Sequence, residues 1–159
     1  MAASLDKAEP VALAFTLPLP PGVNNQYVTA GKRRVLSAAA QRFHRDAAKR
    51  FAALRVEGAI RPAAEAALRD ALLGVYLTFY FETPMRRDLD GGLKIALDAI
   101  GRGLGFDDRA VVDLHLTKRI DPLHPRLEVD IETIADWEFD RTYVVLAPPG
   151  PAEANAADD

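Results

Sequence analysis

The chain has 159 residues, a length that fits one domain, and 49% of them are hydrophobic, enough to bury a core. It has no cysteine, which excludes disulfides, thiolate metal sites and cysteine nucleophiles, and its apolar runs fall well short of the roughly 20 residues a membrane-spanning helix needs. The net charge of −3 argues against a polyanionic partner only until its distribution is read.

Met1 to Pro10 carries Asp6, Lys7 and Glu9, lacks the apolar run of a signal peptide, and reads as the flexible start of a cytoplasmic protein. Val11, Leu13, Phe15 and Leu17 alternate as in a strand, which Pro18, Pro20, Pro21 and Gly22 end. After Asn24-Asn25, residues 26–36 can form a short hairpin turning at Ala30-Gly31. Ser37 is an N-cap for a helix to about Arg55, with Ala40, Phe43, Ala47 and Phe51 at helical spacing. Residues 62–70 are Ala-rich and fit either a short helix or a loop.

Leu72 to Phe81 carries the strongest strand signal, with Leu73, Val75, Leu77, Phe79 and Phe81 on one face and Tyr76 and Tyr80 on the other. A helix is expected from Asp90 to Leu104 with an apolar stripe of Leu93, Leu97, Ile100 and Leu104. Two strands with one wet face follow: Val112, Leu114 and Leu116 alternate with Asp113, His115 and Thr117, then Leu127, Val129 and Ile131 with Glu128, Asp130 and Glu132. Trp137 to Leu146 reads as a last docking segment, and Ala147 to Asp159 as a disordered acidic tail. The expected fold class is α+β: a single domain over 11–146, with a mixed, mainly antiparallel sheet of four to five strands and helices packed on one face.

Residues 31–55 hold eight bases (Lys32, Arg33, Arg34, Arg42, Arg45, Lys49, Arg50, Arg55) against Asp46, while residues 120–159 hold ten acids against Arg126 and Arg141. A phosphate backbone senses the local field, not the total; a solvated helix face would give the same run.

The stretch richest in chemistry is Arg86-Arg87-Asp88-Leu89-Asp90-Gly91-Gly92-Leu93-Lys94. In extended backbone Asp88 and Asp90 would project to the same side and could share a hard cation such as Mg²⁺, which takes a few protein oxygens and keeps waters. Asp90, Lys94 and Asp98 recur every four residues on one helix face, with Asp98 a surface partner for Lys94. Asp107-Asp108 closes the helix-to-strand loop, and the helix could return it beside the first two acids or at the far end of the sheet. The same residues could also make a polar turn with Asp as an N-cap. His44 is expected on the solvated helix face, His124 in a turn, and His115 on the polar side of its strand, with no metal-ligand spacing among them. Gly101, Gly103 and Gly105 follow a helix rather than a strand, so they do not make a dinucleotide loop. Ser37 has no visible base partner.

From Leu13 to Ile131 the chain resembles the RusA-type Holliday-junction resolvases. The resemblance is carried by Leu17-Pro18-Leu19-Pro20-Pro21-Gly22-Val23-Asn24-Asn25, by Arg87-Asp88-Leu89-Asp90…Lys94…Asp98, by Phe106-Asp107-Asp108, and by Val111-Val112-Asp113 with Lys118. It implies that Asp88, Asp90 and Asp108 hold metal and act in catalysis with Lys94. It also implies that Asn24, Asn25, Arg86, Arg87 and Lys118 touch DNA; the basic run of 31–55 adds Lys32, Arg33 and Arg34 as expected phosphate contacts. The implied protein is a homodimeric endodeoxyribonuclease that binds four-way junctions and makes paired nicks with Mg²⁺, or Mn²⁺ in its place. One departure stands out: Gly91 occupies the position where the family has Asn, which leaves open a junction-binding protein with little or no nuclease activity.

Overall fold

The structure, a computed structural model, describes residues 10–135. The N-terminal segment 1–9, the segment Trp137 to Leu146 and the acidic tail lie outside the described residues. Six strands and three helices follow in chain order: β1 (Ala12–Pro18), β2 (Tyr27–Ala30), β3 (Arg33–Leu36), α1 (Ala38–Val56), α2 (Pro62–Asp70), β4 (Leu72–Phe81), α3 (Leu93–Leu104), β5 (Val111–Ile120) and β6 (Arg126–Ile134).

The main sheet has the order β1-β6-β4-β5, with β2-β3 as a separate two-stranded ribbon. β6 runs antiparallel to both β1 and β4, and β5 runs parallel to β4 across the α3 connection. The sheet is therefore mixed and mainly antiparallel, as the wet faces of its strands imply. Apolar alternation decides which face is covered: Phe15, Leu17, Leu73, Val75, Leu77, Phe79, Phe81, Leu127, Val129 and Ile131 are all buried. α1 lays Phe43, Ala47, Phe51 and Leu54 into this layer, and Phe51 meets Phe15 edge to face at 5.3 Å. Ser37 caps α1 by accepting from the Ala40 amide at 3.1 Å. The Ala-rich segment 62–70 resolves as a helix started by Pro62 at its first turn.

Three expectations are corrected. α3 begins at Leu93, not Asp90, because Gly91 and Gly92 are taken up in the preceding turn. Its buried stripe is Ile95, Ala96, Ala99, Ile100 and Leu104, and Leu93 and Leu97 are only half-buried. In β5 a bulge falls where Leu73 pairs with Val111 and Gly74 with Asp113. A bulge inserts one unpaired residue and shifts the alternation, so Val111, not Val112, packs on the core; Leu114 keeps its place opposite Val75 but is exposed on the edge strand.

α1 and α3 approach closely at Gly103, where an added Cβ would stand 2.3 Å from the Phe51 ring. Arg55 fastens the same contact: it pairs with Glu65 and donates to the Gly103 carbonyl at 2.5 Å. Gly105 ends α3 in the left-handed region, φ 81°, which an L side chain enters only with strain.

A candidate active site on the turn before α3

Asp88 to Gly91 form a tight turn closed by the Gly91 amide donating to the Asp88 carbonyl at 3.2 Å; the Leu93 amide then donates to the Asp90 carbonyl at 3.0 Å. The two carboxylates thus sit on a turn rather than on extended backbone, and they serve neighbouring clefts. Asp88 lines one with Gly22, Asn24, Asn25, Arg86 and Arg87. Asp90 lines the other with Leu93, Lys94, Leu97 and Asp108. The α3 connection therefore returns Asp108 to the groove that holds Asp90 and Lys94.

Asp88, Asp90 and Asp108 are all exposed and form no salt bridge among the described residues. Lys94 lies 3.6 Å from Asp98, the surface pairing expected of them. The Asp107-Asp108 pair is divided by its surroundings. Asp107 caps a 3-10 turn (Asp108–Ala110) and accepts from the Arg109 amide and guanidinium, which holds its carboxyl well below the usual carboxylate range. Asp108 makes no ion pair among the described residues and lines the Asp90 groove. Among those residues no three Asp, Glu or His side chains already converge as a metal cluster. The donor set still fits Mg²⁺, which is content with one or two carboxylates and completes its shell with water and phosphate.

The Pro-Gly-Val-Asn-Asn loop is seated against this turn by residues that the motif reading missed. Gln26, only 5% exposed, donates to the carbonyls of Gly91 (3.1 Å) and Pro21 (3.3 Å). Ser37 donates its hydroxyl to the Asn25 carbonyl at 2.5 Å. Gln26 follows an Asn-Asn pair with nothing in its spacing to mark it, since its partner is 65 positions away; a buried amide between two short elements is visible only in three dimensions.

Two residues expected on DNA fold back onto backbone carbonyls, Arg87 half-buried and Lys118 exposed. Arg87 is half-buried, donates to the Pro20 carbonyl, and stacks 5.2 Å from the Phe81 ring; burial lowers its pKa. Lys118 donates to the carbonyls of Pro84 and Arg87, both at 2.8 Å. Arg86 remains exposed at the cleft mouth.

Lys32, Arg33 and Arg34 lie on the exposed β2-β3 ribbon and its turn, with Arg34 over the Tyr27 ring at 4.5 Å. No Asp or Glu occurs between Glu9 and Asp46. Of the eight bases in 31–55, Arg50 and Arg55 are engaged by Glu57 and Glu65, and Lys49 lies 3.9 Å from Asp46.

The histidines stand apart from the acids. His44 is not on the solvated face: it is half-buried in a groove between α1 and α3, where burial and then Arg102 lower its pKa. His115 stacks on Tyr76 on the uncovered sheet face, 3.0 Å from Asp113. His124 is exposed in the β5-β6 turn, 3.8 Å from Asp121.

The family model for endodeoxyribonuclease RusA matches residues 18–132, which takes in the Asn-Asn loop, the acidic turn, Lys94, Asp108 and Lys118. The chain belongs to the RusA endodeoxyribonuclease family. It is accordingly a nuclease of a family that resolves Holliday junctions. No curated protein matches it. Gly91, where the resemblance implies an asparagine, sits on the wall of the Asp88 cleft. An added Cβ there would meet the Asp88 carbonyl oxygen at 3.3 Å, tight but not blocked.

Proposed function

We propose that this RusA-family protein is a divalent-metal-dependent endonuclease that resolves four-way DNA junctions by paired nicks, acting as a homodimer. The observation that carries the proposal is the shared groove of Asp90, Lys94 and Asp108 beside the Asp88 cleft, next to an acid-free stretch rich in exposed bases. Asp90 and Asp108 would hold Mg²⁺ (or Mn²⁺) from one groove, and Asp88 from the adjoining one. Such a cation activates water and stabilises charge on phosphate oxygens.

Lys94, 74% exposed on its side chain, is free to swing from Asp98 to a phosphate oxygen and stabilise charge that develops there. Arg86, Asn24 and Asn25 line the Asp88 cleft and offer donors to the backbone on one side of the cut. Lys32, Arg33 and Arg34 neutralise phosphates along an arm. A two-fold dimer suits a four-way junction because it can present the same site to two opposed strands.

The test is cleavage of a labelled four-way junction and of a linear duplex of the same sequence, with Mg²⁺ and with EDTA. Paired nicks on the junction alone, lost in EDTA, are expected. Asp90→Asn should slow them by at least roughly a hundredfold, the scale of losing one group that stabilises transition-state charge, and leave junction binding in EDTA intact. Tight binding without nicks in any divalent metal would overturn the nuclease reading in favour of a binding module.

A further inference from the structure

The acidic turn has a feature that phosphate binding does not explain. Lys118, on β5 opposite Phe79 of β4, sends its ammonium to the Pro84 and Arg87 carbonyls, both at 2.8 Å, with the Phe81 ring 5.4 Å below. An ammonium has three donors, and these bonds use two of them. The Arg87 carbonyl belongs to the peptide that enters Asp88. At the other end of the turn, the buried Gln26 amide donates to the Gly91 carbonyl, just past Asp90. Arg87 pins the same loop to Pro20. Residues 82–92 have no regular hydrogen-bond ladder of their own, so these side chains set where the two carboxylates stand.

We propose that Lys118 and Gln26 are positioning residues that brace the Asp88–Gly91 turn from its two ends, and that Lys118 does not serve as a phosphate contact. The inference rests on the metal-site reading above. Its logic is that of outer-shell partners in metal sites: groups that orient the ligands change metal affinity and rate without touching the substrate.

The test compares Lys118→Met, Gln26→Leu and, as a phosphate-contact reference, Lys32→Met in the full chain. Three quantities are read: the salt dependence of junction binding in EDTA, the nicking rate at saturating junction as Mg²⁺ is varied, and hydrogen exchange of the Gly91 and Leu93 amides. Lys118→Met should keep the salt slope, need more Mg²⁺ and lose roughly 10–100-fold in rate, and speed exchange at Gly91 and Leu93. Gln26→Leu should repeat that pattern although a buried amide cannot reach DNA. Lys32→Met should instead flatten the salt slope by about 0.9 and leave exchange unchanged.

A Lys118→Met protein that loses salt slope like Lys32→Met, with unchanged exchange, would overturn the proposal. So would a Gln26→Leu protein with normal exchange and a normal Mg²⁺ requirement, which keeps the test decisive if Lys118→Met does not fold. If the unmutated protein nicks nothing, the nuclease reading fails, and exchange at Gly91 still decides whether the brace exists.

Discussion

Gly103→Ala should destabilise the protein although alanine is the better helix former. Helix propensity alone would make the change a gain of about 1 kcal/mol. The structure reverses the sign. The added Cβ would lie 2.3 Å from Phe51 Cδ2 and Cε2 and 2.8 Å from Cζ, where carbon atoms prefer about 3.5–4.0 Å. More than about 1 Å of movement is needed, and Phe51, 1% exposed and edge-on to Phe15, can make it only by giving up core packing. Overpacking of this kind costs about 1–3 kcal/mol, and the severity of the overlap places it at the upper end. With the propensity returned, the net loss is about 2 kcal/mol, or roughly 4–8 °C in Tm for a domain of this size. Urea unfolding of the single variant and of Gly103→Ala/Phe51→Leu measures it. The double variant should recover part of the loss, because leucine lacks the ring edge that the methyl strikes. Equal or greater stability of Gly103→Ala than of the unmutated protein would refute the close packing of α1 on α3.

Two further outcomes are expected. Gly91 has a negative φ among the described residues, so Gly91→Asn should fold with a shift of a few tenths of an ångström against the Asp88 carbonyl and put an amide on the wall of the Asp88 cleft. The nicking rate should rise by up to roughly tenfold, as orienting a ligand can do; a fall would mean that the shift moves Asp88 off its productive position. His44 binds a proton less tightly in the folded than in the unfolded chain, through burial first and Arg102 second. The unfolded state therefore carries more protons up to its ordinary pKa of 6.5, and stability should rise with pH across the interval that ends there. His44→Gln should flatten that part of the urea-denaturation profile, and a slope left intact would assign it elsewhere.

Strands and helices were legible where burial imposes a period. β4 could be read to the residue because five apolar side chains alternate over one buried face, and α1 because Ser37 supplies a cap and Ala40, Phe43, Ala47 and Phe51 supply the stripe. The start of α3 was not, because Asp90-Gly91-Gly92 can continue a helix or close a turn, and here the Gly91 amide closes a turn onto the Asp88 carbonyl. The bulge in β5 left no mark in the alternation of Val112, Leu114 and Leu116, since it depends on how Gly74 meets Asp113 across strands. The candidate site shows the same division. Motif and spacing identified Asp88, Asp90, Lys94 and Asp108, but whether a cation points outward or folds back onto a carbonyl, as Arg87 and Lys118 do, depends on partners 31–67 positions away.

The face of the sheet that the described helices leave bare has a consequence for how the protein meets a polyanion. Along it Asp113, Glu128, Asp130 and Glu132 stand in rows with Tyr76, Thr78 and His115, diluted among the described residues only by Arg119 and by Arg126, itself engaged by Asp121 and Glu128. The bases of α1 lie on the other side, over the covered face. The described residues therefore present opposite charge on their two sides to the field of a polyanion. Such a field favours approach with the helix layer, rather than the sheet's bare face, toward phosphates. The same separation of charge works against approach by the bare face, whose carboxylates a phosphate backbone repels.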